Sequence, residues 1–530
     1  MSSPSASPSK SVGPLATLSG SGRQSFFAAL AAVFLGALDL TVIATVLPKM
    51  IVDLRINTAD IDRYVWVVNA YLLAYIVAIP VVGRLSDMIG RTPIVIGALA
   101  IFMIGSLLCA NAESLQTLII ARAIQGAGGG ALLPITLALV GDLFPPGRRI
   151  AAIGIVGAVD TIGWVLGPIW GAVIIGLPIS IDQRWRLIFW INIPIAAIAG
   201  WLIWRSRALH ATEKSSPRLR DFDVIGALLF AGSLLLFNLA LSSGGEVGVM
   251  GGSGLRAFGG TSNPLAEYLW PLLGIALLLG IAFVLWSRHR ITPLFPSDLF
   301  QSPIILATIA INFLVGAALI VAMVDGPVAV ALTASGDDVS RRSALILAPF
   351  TLCMAAFSFG GSVIASKAGV VRTAAIGIAF VVAGYLLLWL MATSDNVYTM
   401  IPGLIVAGIG FGLAMAPLGA TVLDAAPVRE LGSASALAMV ARLLGMTIGI
   451  SALTAIGVRR LQILTGRLEP VVQQSGESTA QFLLRQSQYI QNTAIPLSFR
   501  VITETFFLAA MLALVAFIPL TYLWRRLDRT

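Results

Sequence analysis

Histidine and cysteine are nearly missing, with two of each in 530 residues. His210 and His289 fall in predicted loops, so the clustered imidazoles of a metal-dependent enzyme are absent. Cys109 and Cys353 each lie inside an apolar run, which gives no support to a disulfide framework or a thiolate metal site. Charge is scarce too: 11% of residues are charged against 58% apolar, a balance that excludes a water-soluble globule with a polar surface. No serine stands in a GxSxG elbow and no nucleophile, base and acid converge, so an enzyme acting on lipid lacks its machinery. The net charge of +9 reads as basic loops beside anionic headgroups and not as a nucleic-acid surface.

What is present is a succession of apolar runs long enough to cross a bilayer, which needs about 20 residues as a helix. Fourteen are predicted, making an all-α polytopic membrane protein arranged as six, two and six spans. A Ser/Pro/Gly-rich tail over 1–25 precedes a six-helix bundle over 26–204. A linker over 205–300 carries two inserted spans, and a second six-helix bundle over 301–523 includes a long connection at 460–499, before a short tail at 524–530. No cleavable signal pattern is evident ahead of the first span. Basic residues concentrate in the loops on the side of the termini, which places both termini in the cytoplasm and the chain in a plasma membrane, with a bacterial inner membrane the expected one. Two six-span halves suggest an internal repeat with a site between them near mid-depth.

The stretch from Ala151 to Gly176 is the one the rest is organised around. It carries Asp160 inside a span, where a carboxylate costs several kcal/mol and marks a functional position by default. Gly163, Gly167 and Gly171 recur every four residues, so bare backbone lies along one helical stripe where a neighbour can approach. Pro168 removes a backbone donor and is expected to bend the stripe. Trp164 and Trp170 flank it as candidates for an apolar pocket.

Three further ionisable residues lie within predicted spans. At about 1.5 Å of rise per residue, Asp39 falls roughly 20 Å from the cytoplasmic surface, Asp160 about 15 Å and Arg442 about 16 Å, with Arg122 at a similar level. Two acids and two bases on four helices therefore share a layer. They form either a static pair that fixes packing or a proton exchanger. Burial favours a protonated carboxylate and a nearby guanidinium favours the ionised form, so moving one against the other changes proton affinity. Gln125, one turn from Arg122, is expected to face the cavity or to satisfy a neighbouring group.

Four motifs carry a resemblance. GRLSDMIGR (Gly83 to Arg91), RAIQGAGGGA (Arg122 to Ala131), GWVLGPIWG (Gly163 to Gly171) and LDLTVIATVLP (Leu38 to Pro48) resemble, in order and position, the signatures of fourteen-span drug:proton antiporters of the major facilitator superfamily. The resemblance implies two six-helix bundles that rock about a central site, exporting hydrophobic small molecules on a proton gradient without a cofactor. It implies Asp39 as the proton carrier and Gly83, Asp87, Gly90 and Arg91 as an inner gate; Asp160, an acid that the common drug-exporter pattern does not require, is the second candidate carrier. On local grounds alone Asp87 could cap the third helix, Gly90 turn the chain and Arg91 anchor it. The second half has a related loop, GSVIASKAGVVR, without the acid. Asp160 and Arg442 are similar to an acid and base found in a branch of mycobacterial triacylglyceride exporters, which makes lipid an alternative cargo. The 460–499 connection is then an outward extension that guides lipid or meets a partner protein. The protein is expected to work as a monomer, with membrane lipids around it.

Overall fold

A bilayer interior offers no partner to a free amide, so apolar runs satisfy their own backbones as helices. The computed structural model describes residues 18–54, 66–177, 184–206, 221–244, 268–333, 338–465 and 478–527, and among them there is no strand. The first bundle comprises α1 (Gly20–Asp53), α2 (Trp66–Ile89), α3 (Arg91–Ala110), α4 (Leu115–Leu143), α5 (Pro146–Gly176) and α6 (Arg186–Ser206). The inserted pair is α7 (Val224–Gly244) and α8 (Leu269–Arg288), followed by the short α9 (Ser297–Gln301). The second bundle opens with α10 (Pro303–Thr333), α11 (Asp338–Ala368), α12 (Val370–Met391), α13 (Ile401–Ala425) and α14 (Leu431–Thr465). It closes with α15 (Thr479–Tyr489), a π-turn at Ile490–Ala494, α16 (Ile495–Val515) and α17 (Phe517–Leu527).

Among the described residues thirteen helices are long and apolar enough to span, and fourteen when the two halves of α5 count as one. Those halves, Arg148–Trp164 and Ile169–Gly176, meet at 42°. Pro168 falls in the bend where expected, although its side chain lies outside the described residues. Two ends differ from expectation. The first span begins at Gly20 instead of 26, because Ser25 is buried and donates to the Ser206 hydroxyl of α6. The 460–499 connection is largely helical: α14 continues to Thr465, and α15, capped by Ser478 accepting from the Gln481 amide at 3.3 Å, leads into α16. Residues 1–17, 207–220, 245–267, 466–477 and 528–530 lie outside the described residues.

Each bundle has its own core, and one apolar cluster draws on both. Phe26, Ile79, Phe144 and Ile153 of the first bundle pack in a single cluster with Ala416, Ala420, Leu431 and Met439 of the second. It lies toward the ends of the bundles nearest the chain termini and closes them together.

Candidate functional site

Asp39 of α1 has no exposed surface, and its carboxylate is fully engaged. Oδ2 meets Arg122 Nη1 of α4 at 2.6 Å, while Oδ1 accepts from Gln125 Nε2 at 3.0 Å and from Asn192 Nδ2 of α6 at 2.7 Å. Arg122 also donates to Gln125 Oε1 at 2.6 Å and to the Val67 carbonyl at 3.3 Å, and its guanidinium lies 4.1 Å over the Tyr71 ring. Gln125 completes the set through Ser106 Oγ at 2.8 Å. These bonds help a buried ion pair persist, although the buried Arg122 Nη2 has no acceptor. The glycines of RAIQGAGGGA explain how so many groups reach one spot. A Cβ on Gly126 would stand 2.8 Å from Tyr71 Cα, and one on Gly128 would stand 2.6 Å from the Ala98 carbonyl, so only bare backbone lets α2 and α3 close on α4.

The cavity lies beside this network and does not include it. Its first-bundle wall is Asn69, Tyr75, Asp160, Thr161 and Trp164; its second-bundle wall is Arg442 with Met323, Met354, Met415, Met439 and Met446. Asp160 and Arg442 both face it, near enough for each charge to act on the other, but no ion pair within 4.0 Å joins them. Arg442 Nη2 instead donates to Asn312 Oδ1 at 3.2 Å, and its buried Nε has no acceptor. The single charge layer expected from helix depth is thus two sites, one sealed and one lining the cavity. Gln125 and Trp170 are corrected likewise. Gln125 is fully buried among Asp39, Arg122 and Ser106, and Trp170 packs against a cluster containing Val42, Ile43 and Ile188; neither lines the cavity.

The glycine seam of α5 packs on α1. A Cβ on Gly163 would stand 2.7 Å from Ala37 Cβ, and one on Gly167 would stand 2.9 Å from the Leu38 carbonyl and would also strike Thr41 Oγ1. Thr41 Oγ1 uses the gap to donate to the Trp164 carbonyl at 3.0 Å. Gly171 is buried further along the same stripe.

At the end nearest the termini the bundles are bolted together. Asp87 lies within α2 and does not cap α3. Its Oδ1 accepts from the Gly432 amide at 2.8 Å, and Oδ2 accepts from the Ser433 amide and hydroxyl, both at 2.7 Å, so it caps the first turn of α14 in the other bundle. Arg91 holds it at 2.6 Å and reaches Asp142 at 3.1 Å. Gly83 presses bare backbone on α14, where a Cβ would stand 2.7 Å from the Gly432 carbonyl. Gly90 turns the chain at φ 94°, and Gly369 does the same at φ 91° in the related loop of the second half. The acid missing from that loop is matched by a different contact, Arg149 on α5 to Asp424 on α13 at 3.1 Å.

Several participants outside the expected set carry a sequence signal of their own. Asn192 and Asn238 are single amides in apolar spans, and Tyr75 lies one turn from Tyr71 within α2. An amide with no polar neighbour in sequence has to find its partner on another helix.

Two six-helix bundles enclosing a mid-depth cavity, with ionisable groups in the membrane and a bolted gate at one end, define a secondary transporter. A sequence profile of the Major Facilitator Superfamily matches residues 29–450, and the chain belongs to that family. It is 36% identical over 454 residues to the triacylglyceride transporter of Mycobacterium tuberculosis, covering 82% of this chain and 83% of that one. It is 34% identical to the triacylglyceride transporter of Mycolicibacterium hassiacum, over 81% and 78% of the two chains. Among solved structures, the proton:xylose symporter XylE of E. coli matches with a TM-score of 0.58 at 14% identity, covering 92% of this chain and 94% of that one. The human organic anion transporter MFSD10 matches with a TM-score of 0.55 at 15% identity, over 93% and 99%. Both share the fold.

Proposed function

We propose that the protein exports apolar acyl lipids of the triacylglyceride kind, exchanging them for protons by alternating access, with both termini in the cytoplasm of a bacterial cell. The observation that carries this reading is the cavity: an aliphatic and methionine-rich wall interrupted by Asp160 and Arg442. Five methionines adapt their shape to long flexible chains more readily than branched residues do. The names of the relatives favour lipid over drug cargo. So does α15, which buries none of its residues and holds Leu483 and Leu484 more than half exposed beyond the second bundle.

Asp39 is the proton carrier in this scheme. With no exposed surface and Arg122 against it, it exchanges protons with neither side in the conformation seen, as a coupled carrier has to in a closed state. Loading it requires Arg122 on α4 to withdraw from Asp39 on α1, a movement of two helices within the first bundle. Asp160 and Arg442 answer to cargo, since both are reached from the cavity. No cofactor takes part; the proton gradient is the energy source.

Purified protein in proteoliposomes, given an inward proton gradient, is expected to move labelled triacylglyceride to an acceptor. Removal of 479–489 is expected to reduce lipid movement and to spare a small apolar cation such as ethidium. Ethidium transport with no lipid movement by the intact protein would overturn lipid as the cargo and leave small-molecule efflux.

A further inference from the structure

Asp325 is the one ionisable residue of α10, and neither the cavity wall nor the gate uses it. It stands about 33 Å along the helix from Pro303, hence about 12 Å from Thr333 and toward the face away from the termini. Met323, two residues earlier, lines the cavity, and at about 100° per residue Asp325 turns to the other side of the helix. Ala322 and Ala329 on its own face are fully buried. Tyr385 of α12 packs there, its hydroxyl donating to the Ala318 carbonyl and accepting from the Ala322 amide at 3.3 Å. Asp325 itself is partly buried, where Asp39 is sealed, and its side-chain partner is the Thr505 hydroxyl of α16.

Among the described residues no cation lies within 4.0 Å of this carboxyl. Glu504 on α16 adjoins Thr505 but pairs with Arg460 of α14 at 2.8 Å and with Arg500 at 3.5 Å. Arg442 of α14 is held by Asn312, thirteen residues back along α10. On α11 the neighbour at this level is Leu347, 3.5 Å from where a Cβ on Gly326 would stand, with Arg341 and Arg342 beyond it at the start of the helix. The charged side chains of α12, α13 and α17 stand at the terminal-side ends.

Thr505 has one hydroxyl hydrogen and two oxygens in reach, Asp325 Oδ2 and the Ile502 carbonyl, the latter at 2.7 Å. A carbonyl only accepts. With the Thr505 hydrogen on Ile502, the hydrogen between Thr505 and Asp325 comes from a protonated carboxyl. An ionised Asp325 would rest on that single hydroxyl, where Asp39 has a guanidinium and two amides. A carboxylate so poorly supported inside a span is the costlier form.

The two bundles are matched here. In each, an acid on the first span meets a polar side chain on the last: Asp39 of α1 with Asn192 of α6, Asp325 of α10 with Thr505 of α16. We infer that Asp325 is a second proton-binding site, which holds its proton in this conformation while Asp39 is ionised, and exchanges it with water on the face away from the termini. On release the carboxyl O–H bond breaks and the proton passes to water. The Thr505 hydroxyl then turns from Ile502 to donate to the carboxylate, so one side chain serves both charge states. The inference rests on the proton exchange proposed above and raises it from one proton per cycle to two. Asp39 remains the proton on which movement depends, because loading it is what frees Arg122.

The infrared carbonyl stretch of protonated carboxyls, read on purified protein at neutral pH, tests the charge state. A component is expected in the wild type that is absent from Asp325→Asn and still present in Asp39→Asn. Should Asp325→Asn not fold, Thr505→Val removes the acceptor and is expected to move the same component to higher frequency. A spectrum that neither variant changes would overturn the site. Proteoliposomes test the exchange: protons moved per labelled triacylglyceride are expected to fall about twofold in Asp325→Asn. An unchanged ratio would make this proton a fixed structural one and overturn the inference. Wild-type protein that moves lipid without protons refutes the exchange reading instead, while the carboxyl component still reports on Asp325 by itself, so the two failures are told apart.

Discussion

Asp39 and Arg122 touch at 2.6 Å with neither side chain exposed, behind the cavity wall and one helix layer from the acid and base that cargo can reach. Separating the sealed pair from the accessible one is what allows proton affinity and cargo affinity to be set by different contacts. It also predicts different consequences for substitutions at the two places.

Arg122→Ala leaves the Asp39 carboxylate buried with its amide partners only. The expected loss is about 3–5 kcal/mol of stability, seen as a lower Tm in detergent. Combining it with Asp39→Ala is expected to recover most of that loss, because the uncompensated charge is gone. A double variant as unstable as the sum of the singles would argue against a coupled pair.

Asp160 and Arg442 share a cavity without an ion pair in this conformation, so their interaction belongs to another state or to cargo. Asp160→Asn and Arg442→Gln are each expected to slow transport at least tenfold with little change in Tm, and the double variant to be no slower than the worse single. Strict additivity of the two effects on rate would show that the residues act independently.

Asp87 accepts three hydrogen bonds from the start of α14, and charge-assisted bonds of this kind contribute about 1.5–3 kcal/mol each. Asp87→Asn is expected to shift the population by tenfold or more toward a state open on the terminal side. Spin labels on the terminal-side ends of α2 and α14 read this as a longer distance distribution. Unchanged distances would assign Asp87 to local capping only.

The α5 seam has no room for a methyl group at Gly163. Gly163→Ala is expected to push α5 from α1 and cost about 1–3 kcal/mol, with a matching fall in Tm. A neutral result would mean that the two helices separate freely there.

The spans were legible because each is an apolar run of bilayer length, and the bend in α5 followed from Pro168 beside three spaced glycines. Depth along a helix was legible for the same reason: rise per residue is fixed. Direction around the helix was not. Asp39 and Asp160 have comparable depths, yet one turns into α4 and α6 and the other toward the second bundle, and that depends on which helix lies beside which. Gln125 is open between cavity and neighbour on this account, and the structure turns it with Arg122 away from the cavity onto Asp39 and Ser106. The inserted span α7 reads as an appendage from its composition; only its contact with Thr447 shows it in the wall. Asp87 was ambiguous between capping its own neighbour and bridging the bundles, and the partner, the first turn of α14, is more than three hundred residues away.

The exchanger itself is tested most directly by following lipid and protons together in proteoliposomes of wild-type and Asp39→Asn protein. An imposed proton gradient is expected to accelerate triacylglyceride movement by the wild type, with proton flow in the opposite direction, and to have no effect on the folded Asp39→Asn variant. Undiminished gradient-driven lipid movement by that variant would contradict the account.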